Sequence, residues 1–193
     1  LILFSDEVYE TLVFEGTHRS ALSRPRLRDR SIVASSVGKT FSLTGWKIGW
    51  TVASPPLTEA IQGAHQFTSF CVATPLQVGA AAALKLPDSY FEGFLRGYRS
   101  RREQLVRGLR SIGLTPILPQ GTYFTLVDLA PLGVDDDRVF CERLTRELGV
   151  AAIPTSAFHE DGRSGPIRFA FCKQPEVLDQ AIERLSKIDQ LLP

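Results

Sequence analysis

Two polar clusters interrupt apolar runs in this chain, and their side chains suit covalent chemistry better than simple solvation. Asp6 and Tyr9 follow Leu1-Ile2-Leu3-Phe4; Ser36 and Lys39 follow Ser31-Ile32-Val33-Ala34, with a further cation at Lys47. In parallel α/β sheets, ligands gather beyond the carboxyl ends of strands, where both clusters are expected. Gly38-Lys39-Thr40 matches the end of a phosphate loop, but the position needing its leading glycine is Val33, so a nucleotide-binding loop is rejected. A lysine amine withdrawn from water loses its proton more readily and attacks carbonyl carbon. Two neighbouring ammonium groups call for an anion between them, and the Ser36 hydroxyl with nearby backbone amides would help hold a phosphate. A phosphate, a lysine able to form a Schiff base and an aspartate able to pair with a pyridinium nitrogen together describe pyridoxal 5′-phosphate.

The elements that must carry these groups alternate between strand and helix. Leu1–Phe4 lacks alternation and suits a strand buried on both faces, as in a parallel sheet. Short strands are expected over 31–34 and 47–53, the latter stopped by Ser54-Pro55-Pro56. Helices are expected over 57–70 and 74–86. A long amphipathic helix is expected over 88–112, with an arginine-rich solvated face whose stems cover apolar neighbours. Beyond Gly113 the pattern predicts a strand at 121–128, a helix at 135–148, strands at 150–154 and 167–171, and a final helix at 176–192. This divides the chain into residues 1–90, a linking helix over 91–112, and a small α/β domain over 113–193. Trp46 and Trp50 read as packing residues.

Composition narrows the function. The chain has 193 residues, 22 Lys+Arg against 21 Asp+Glu, and 44% hydrophobic residues. Near-balanced charge argues against nucleic acid and polybasic membrane surfaces as partners. No apolar stretch reaches the roughly 18 residues that a membrane span requires. The three cysteines form no CxxC pair and read as small buried hydrophobes in a reducing, cytoplasmic setting. The histidines lack metal-ligand spacing, so no metal is expected. With no Met and Leu1 as first residue, the chain is expected to be a processed or truncated portion.

Asp6-Glu7-Val8-Tyr9, the stretch Ser35-Ser36-Val37-Gly38-Lys39-Thr40-Phe41 with Thr44-Gly45-Trp46-Lys47-Ile48-Gly49-Trp50, and the later Pro166-Ile167-Arg168-Phe169-Ala170-Phe171-Cys172-Lys173 occur in this order. Together they resemble the class I/II aminotransferases of PLP fold type I, in the branch of the kynurenine–oxoglutarate and methionine aminotransferases. The resemblance implies an α/β fold corresponding to the C-terminal half of such an enzyme: part of the large, mostly parallel-sheet domain plus the small domain.

It also implies roles. Lys39 would form the Schiff base with pyridoxal phosphate and move the substrate proton. Asp6 would pair with the pyridine nitrogen and Tyr9 with the ring oxygen. Ser36 and Lys47 would hold the phosphate, Lys47 standing where many relatives carry arginine and so lacking a bidentate fork. Arg168 would clamp the substrate carboxylate, and Phe70 would reach the neighbouring site of a homodimer. The reaction implied moves an amino group from an amino acid to a 2-oxo acid. A PLP-dependent cysteine-conjugate β-lyase and a non-catalytic truncated fragment are the rival readings.

Overall fold

The computed structural model describes Leu1 to Leu192. Contacts cluster into two units, Leu1–Leu95 and a second from Arg96 onward. Each has its own sheet.

The first unit contains β1 (Leu3–Asp6), α1 (Pro25–Arg28), β2 (Ser31–Ser36), α2 (Val37–Thr40), β3 (Gly49–Ala53), α3 (Pro55–Thr68), α4 (Thr74–Ala83) and the start of α5 (Asp88–Ser111). Its strands lie in the order β1-β2-β3. β1 runs parallel to β2, from Leu3 opposite Ser31 to Asp6 opposite Ala34. β3 returns antiparallel, with Ser36 opposite Gly49. The sheet is therefore mixed: the long 7–30 connection permits a parallel crossover, whereas the shorter return after β2 reverses the chain.

The expectation that Leu1–Phe4 is buried on both faces does not hold. Among the described residues β1 is an edge strand with one neighbour, and Phe4 is 64% exposed. β2 instead alternates, burying Ser31, Val33 and Ser35 on one face. Beneath the turns after β2, Val37, Ile48 and Ala80 form a small core sealed by Phe41, Leu43, Trp46, Trp50, Val72 and Leu76. Burying such apolar side chains is worth about 1.5–3 kcal/mol each, so this cluster is what holds the irregular chain between β2 and β3 in place.

The second unit has β4 (Pro116–Ile117), β5 (Phe124–Val127), α6 (Asp137–Arg143), β6 (Ile153–Pro154), β7 (Ile167–Ala170) and α7 (Pro175–Leu185). Its sheet order is β4-β5-β7-β6, with antiparallel pairing throughout. Strand alternation buries Thr125, Val127, Ile167 and Phe169. Tyr98 of α5 meets Phe171 edge-on, with ring centroids 6.4 Å apart.

Several boundaries move. α6 starts at Asp137 because Asp136 caps it, accepting from the Arg138 and Val139 amides at 2.9 and 3.0 Å. It then widens into a π-helical turn, Leu144–Leu148. The final helix stops at Leu185 and continues only as a 3-10 turn, Ile188–Leu191. Of the α5 arginines, Arg102 is not on a solvated face: it is buried, and its Nη1 donates to the Pro119 carbonyl at 3.0 Å. Of the cysteines, only Cys141 is buried, and burial followed by the Asp137 charge pushes its thiol up to about 12. Cys71 and Cys172 are exposed, contrary to expectation.

Two buried carboxylates anchor loops. Glu7, 5% exposed, receives the Ala21 amide at 2.8 Å and the Ser5 hydroxyl at 3.0 Å, and lies 2.9 Å from His18 Nε2. Asp137, 1% exposed, receives the Ser156 amide at 2.8 Å, while its own amide donates to Ser164 Oγ at 3.1 Å. Burial alone would raise both carboxyls. The bonds they accept outweigh it, His18 foremost for Glu7 and Ser156 for Asp137, and hold both below the usual carboxylate range.

Two outcomes are expected. Because both carboxyls titrate lower folded than unfolded, the unfolded chain binds more protons in acid, so this stability is present above about pH 4–5 and is lost as pH falls through the folded values. Urea midpoints measured from pH 6 down to pH 3 should fall, and Asp137→Asn should lower the unfolding free energy at pH 6 by about 1–3 kcal/mol and flatten that slope. Separately, a Cβ on Gly108 would lie 2.2 and 2.5 Å from Ile182 Cδ1 and Cγ1. Gly108→Ala should therefore destabilise by about 1–3 kcal/mol in thermal melts, although alanine is the better helix former.

Candidate active site

The carboxyl end of β1, the β2–α2 junction and the turn before β3 surround one cavity of about 470 Å³. Asp6, Ser36, Lys39 and Lys47 line it, together with Gly38, Thr44, Ile48 and Gly49. Four of the seven residues singled out in the sequence are thus brought together. Tyr9 joins them indirectly, its ring centroid 5.7 Å from Lys39 Nζ.

Each is positioned by local structure. Asp6 is the last residue of β1, and its Oδ1 accepts from the Val8 amide at 3.2 Å. Ser36 caps α2, its Oγ accepting from the Gly38 amide at 3.2 Å, which leaves the hydroxyl proton available to a ligand oxygen. Lys39 lies half-buried on α2, one turn beyond that cap. The turn carrying Tyr9 is fastened to this region by the Glu7 amide on the Ala34 carbonyl at 2.8 Å, by the Ser35 hydroxyl on Glu10 at 2.8 Å, and by Thr11 and Thr40 hydroxyls 2.6 Å apart. From the other side, the Tyr90 hydroxyl donates to the Thr40 carbonyl at 3.0 Å. Lys47 follows a 3-10 turn, Thr44–Trp46, and adopts a left-handed backbone at φ 56°.

Phe70 and Arg168 do not line this cavity. Phe70 follows α3 with φ 60° and is 76% exposed. Arg168 lies in the second unit on β7, opposite the face that buries Ile167 and Phe169. Its guanidinium lies 4.8 Å from the Phe124 ring centroid and 5.5 Å from that of Phe158. It is half-buried rather than enclosed, so contact with two π-faces, not an internal anion, accommodates its charge.

Sequence reading missed Glu7, Glu10, Thr11, Thr44 and Gly49. Thr44 donates its hydroxyl to the Gly38 carbonyl at 2.8 Å and ties the Lys47 turn to α2. At Gly49 a Cβ would lie 2.8 Å from the Ser35 carbonyl oxygen, so only glycine lets β3 close against the β2 end. The Gly49 signal was present, in Gly49 spaced after Lys47, but its meaning depends on a strand pairing that local sequence does not reveal.

Pyridoxal phosphate, the cofactor the resemblance implies, presents a dianionic phosphate, an aldehyde and a basic ring nitrogen. The donor set matches these groups: two ammonium groups and a hydroxyl for anionic and carbonyl oxygen, and a single carboxylate for a protonated ring nitrogen. The volume falls within the range of small-molecule sites, roughly 300–1,000 Å³. The residues present fit the group.

Comparison with known proteins agrees. The chain is 40% identical to the methionine aminotransferase of Escherichia coli over 190 residues, covering 97% of this chain and 49% of that protein. It is 36% identical to the kynurenine–oxoglutarate transaminase of Dictyostelium discoideum, covering 96% and 48% respectively. The solved structure of the N-succinyldiaminopimelate aminotransferase from Mycobacterium tuberculosis superposes with a TM-score of 0.92 at 40% identity, over 96% of this chain and 49% of that one. The chain thus spans about half the length of the curated relatives it matches. Residues 1–185 match the family model of the class I and II aminotransferases, whose members depend on pyridoxal phosphate, and the chain belongs to that family.

Proposed function

We propose that the full-length protein is a pyridoxal-phosphate-dependent aminotransferase that moves an amino group from an amino acid to a 2-oxo acid. The observation that carries this reading is the single cavity lined by Asp6, Ser36, Lys39 and Lys47. Residues 1–90 then serve as the cofactor-binding part, 91–112 as an inter-domain helix and 113–193 as the small domain; the division of contacts within α5 supports this. The exposure of Phe70 supports a role at a neighbouring subunit's site in a homodimer, and three free cysteines are compatible with a cytoplasmic setting.

When bound, the cofactor supplies an aldehyde for the amino group and a ring that accepts the electron pair released at the substrate α-carbon. Asp6 holds a proton on the ring nitrogen by a charge-assisted bond, which keeps that ring electron-poor. Tyr9 donates to the ring oxygen. Ser36 and Lys47 bind the phosphate. Lys39 Nζ would hold the cofactor through its aldehyde and would move the substrate α-carbon proton as general base and acid. Its half-buried position limits hydration of the amine. Arg168 would bind the substrate carboxylate through its planar guanidinium.

Two measurements test this reading. Borohydride reduction of the PLP-loaded full-length protein followed by peptide mapping should place the label on Lys39, and Lys39→Ala should lower kcat by about 10²–10⁴-fold; label on another lysine would sink the assignment. Arg168→Lys should raise KM for amino acid and 2-oxo acid by about 10–100-fold with a smaller change in kcat, because the planar fork is lost. Pyruvate release from a β-substituted substrate without any 2-oxo acid would point to β-elimination instead.

A further inference from the structure

Lys47 sits in a backbone conformation that side-chain-bearing residues avoid, and something must hold it there. Its φ is 56° and ψ 37°, a left-handed geometry in which the Cβ crowds the neighbouring carbonyl. Such strain persists only where the surroundings over-determine it. Part of the restraint is internal: the Trp46 amide donates to the Leu43 carbonyl at 3.0 Å, and the Val37 amide to the Ile48 carbonyl at 3.2 Å.

The other restraint comes from α4. A Cβ built on Gly79 would lie 2.7 and 2.8 Å from Trp46 Cζ3 and Cη2, so the indole rests directly on the helix backbone. Leu76 and Ala80, on the same helical face as Gly79, belong to the cluster that packs Trp46 and Ile48. An indole is rigid, and a methyl group there would displace all of it. Trp46 immediately precedes Lys47, so the displacement passes to the residue that lines the cavity.

We propose that Gly79 is a positioning residue for phosphate binding: it seats Trp46 against α4 and thereby holds Lys47 at the cavity beside Ser36. The inference rests on the reading that Lys47 binds the cofactor phosphate. Gly79 touches no ligand. It acts through the indole, and its influence should be confined to the phosphate end of the cofactor.

The experiment compares titration of the full-length apoprotein with pyridoxal phosphate and with pyridoxal, which lacks the phosphate. Variants are Gly79→Ala, Lys47→Ala, their double mutant, and Gly63→Ala, a helical glycine whose Cβ would meet nothing within 4 Å. Gly79→Ala and Lys47→Ala should each weaken pyridoxal phosphate binding by about 10–100-fold, the loss expected for a hydrogen bond to a charged group. Pyridoxal affinity should not change, the double mutant should bind no more weakly than Lys47→Ala alone, and Gly63→Ala should match wild type. Trp46→Leu removes the indole without touching α4 and carries the same expectation, should Gly79→Ala fail to fold. The inference is overturned if Gly79→Ala binds like wild type, if it weakens both ligands equally, or if it still weakens binding without Lys47. Failure of the wild type to bind pyridoxal phosphate at all, with no adduct on Lys39, would instead remove the functional reading and this inference with it.

Discussion

Everything in the first unit turns on keeping two cations, Lys39 and Lys47, at one cavity with a lone carboxylate at Asp6. Among the described residues that line it, two ammonium groups stand with one carboxylate, a set that favours an anionic ligand. The surrounding structure supplies the restraint. Val37 and Ile48 lock both turns into one small core, Thr44 binds α2 through the Gly38 carbonyl, and Gly49 lets β3 close against β2. An anion that binds this arrangement and not the unfolded chain adds to stability, so binding and folding are linked.

The second unit solves a different problem, the placement of one guanidinium on a sheet. Arg168 shares β7 with two fully buried residues yet faces away from them. Phe124 and Phe158 flank it, one from the neighbouring strand and one from the loop that Asp137 secures. Packing against rings limits the rotamers of a long side chain at little desolvation cost.

Much of this was legible in the residues. The short strand at Ser31–Ala34, the amphipathic period of α5 and the polar groups at strand ends all rest on local sequence, and the structure has elements at those places. What was not legible depends on distant partners. The direction of β3 follows from how the chain turns after α2, not from Gly49–Ala53 itself. β4 has only two residues and includes Pro116, too little for any period. Glu7, Asp137 and Gly79 look ordinary in sequence, because their meaning lies in Ala21, Ser156 and Trp46, each supplied from another segment. Leu1–Phe4 misled for the same reason: apolar character signals a wish for cover, but not whether a neighbour is present.

That edge has a consequence for handling the protein. Among the described residues β1 has a hydrogen-bonded neighbour on one side, and it carries exposed Leu3 and Phe4. Unpaired amides and carbonyls beside apolar side chains form a template for another extended chain. An uncovered edge of this kind favours self-association, so in handling the protein the cover over Leu3 and Phe4 matters more to solubility than the net charge of +1.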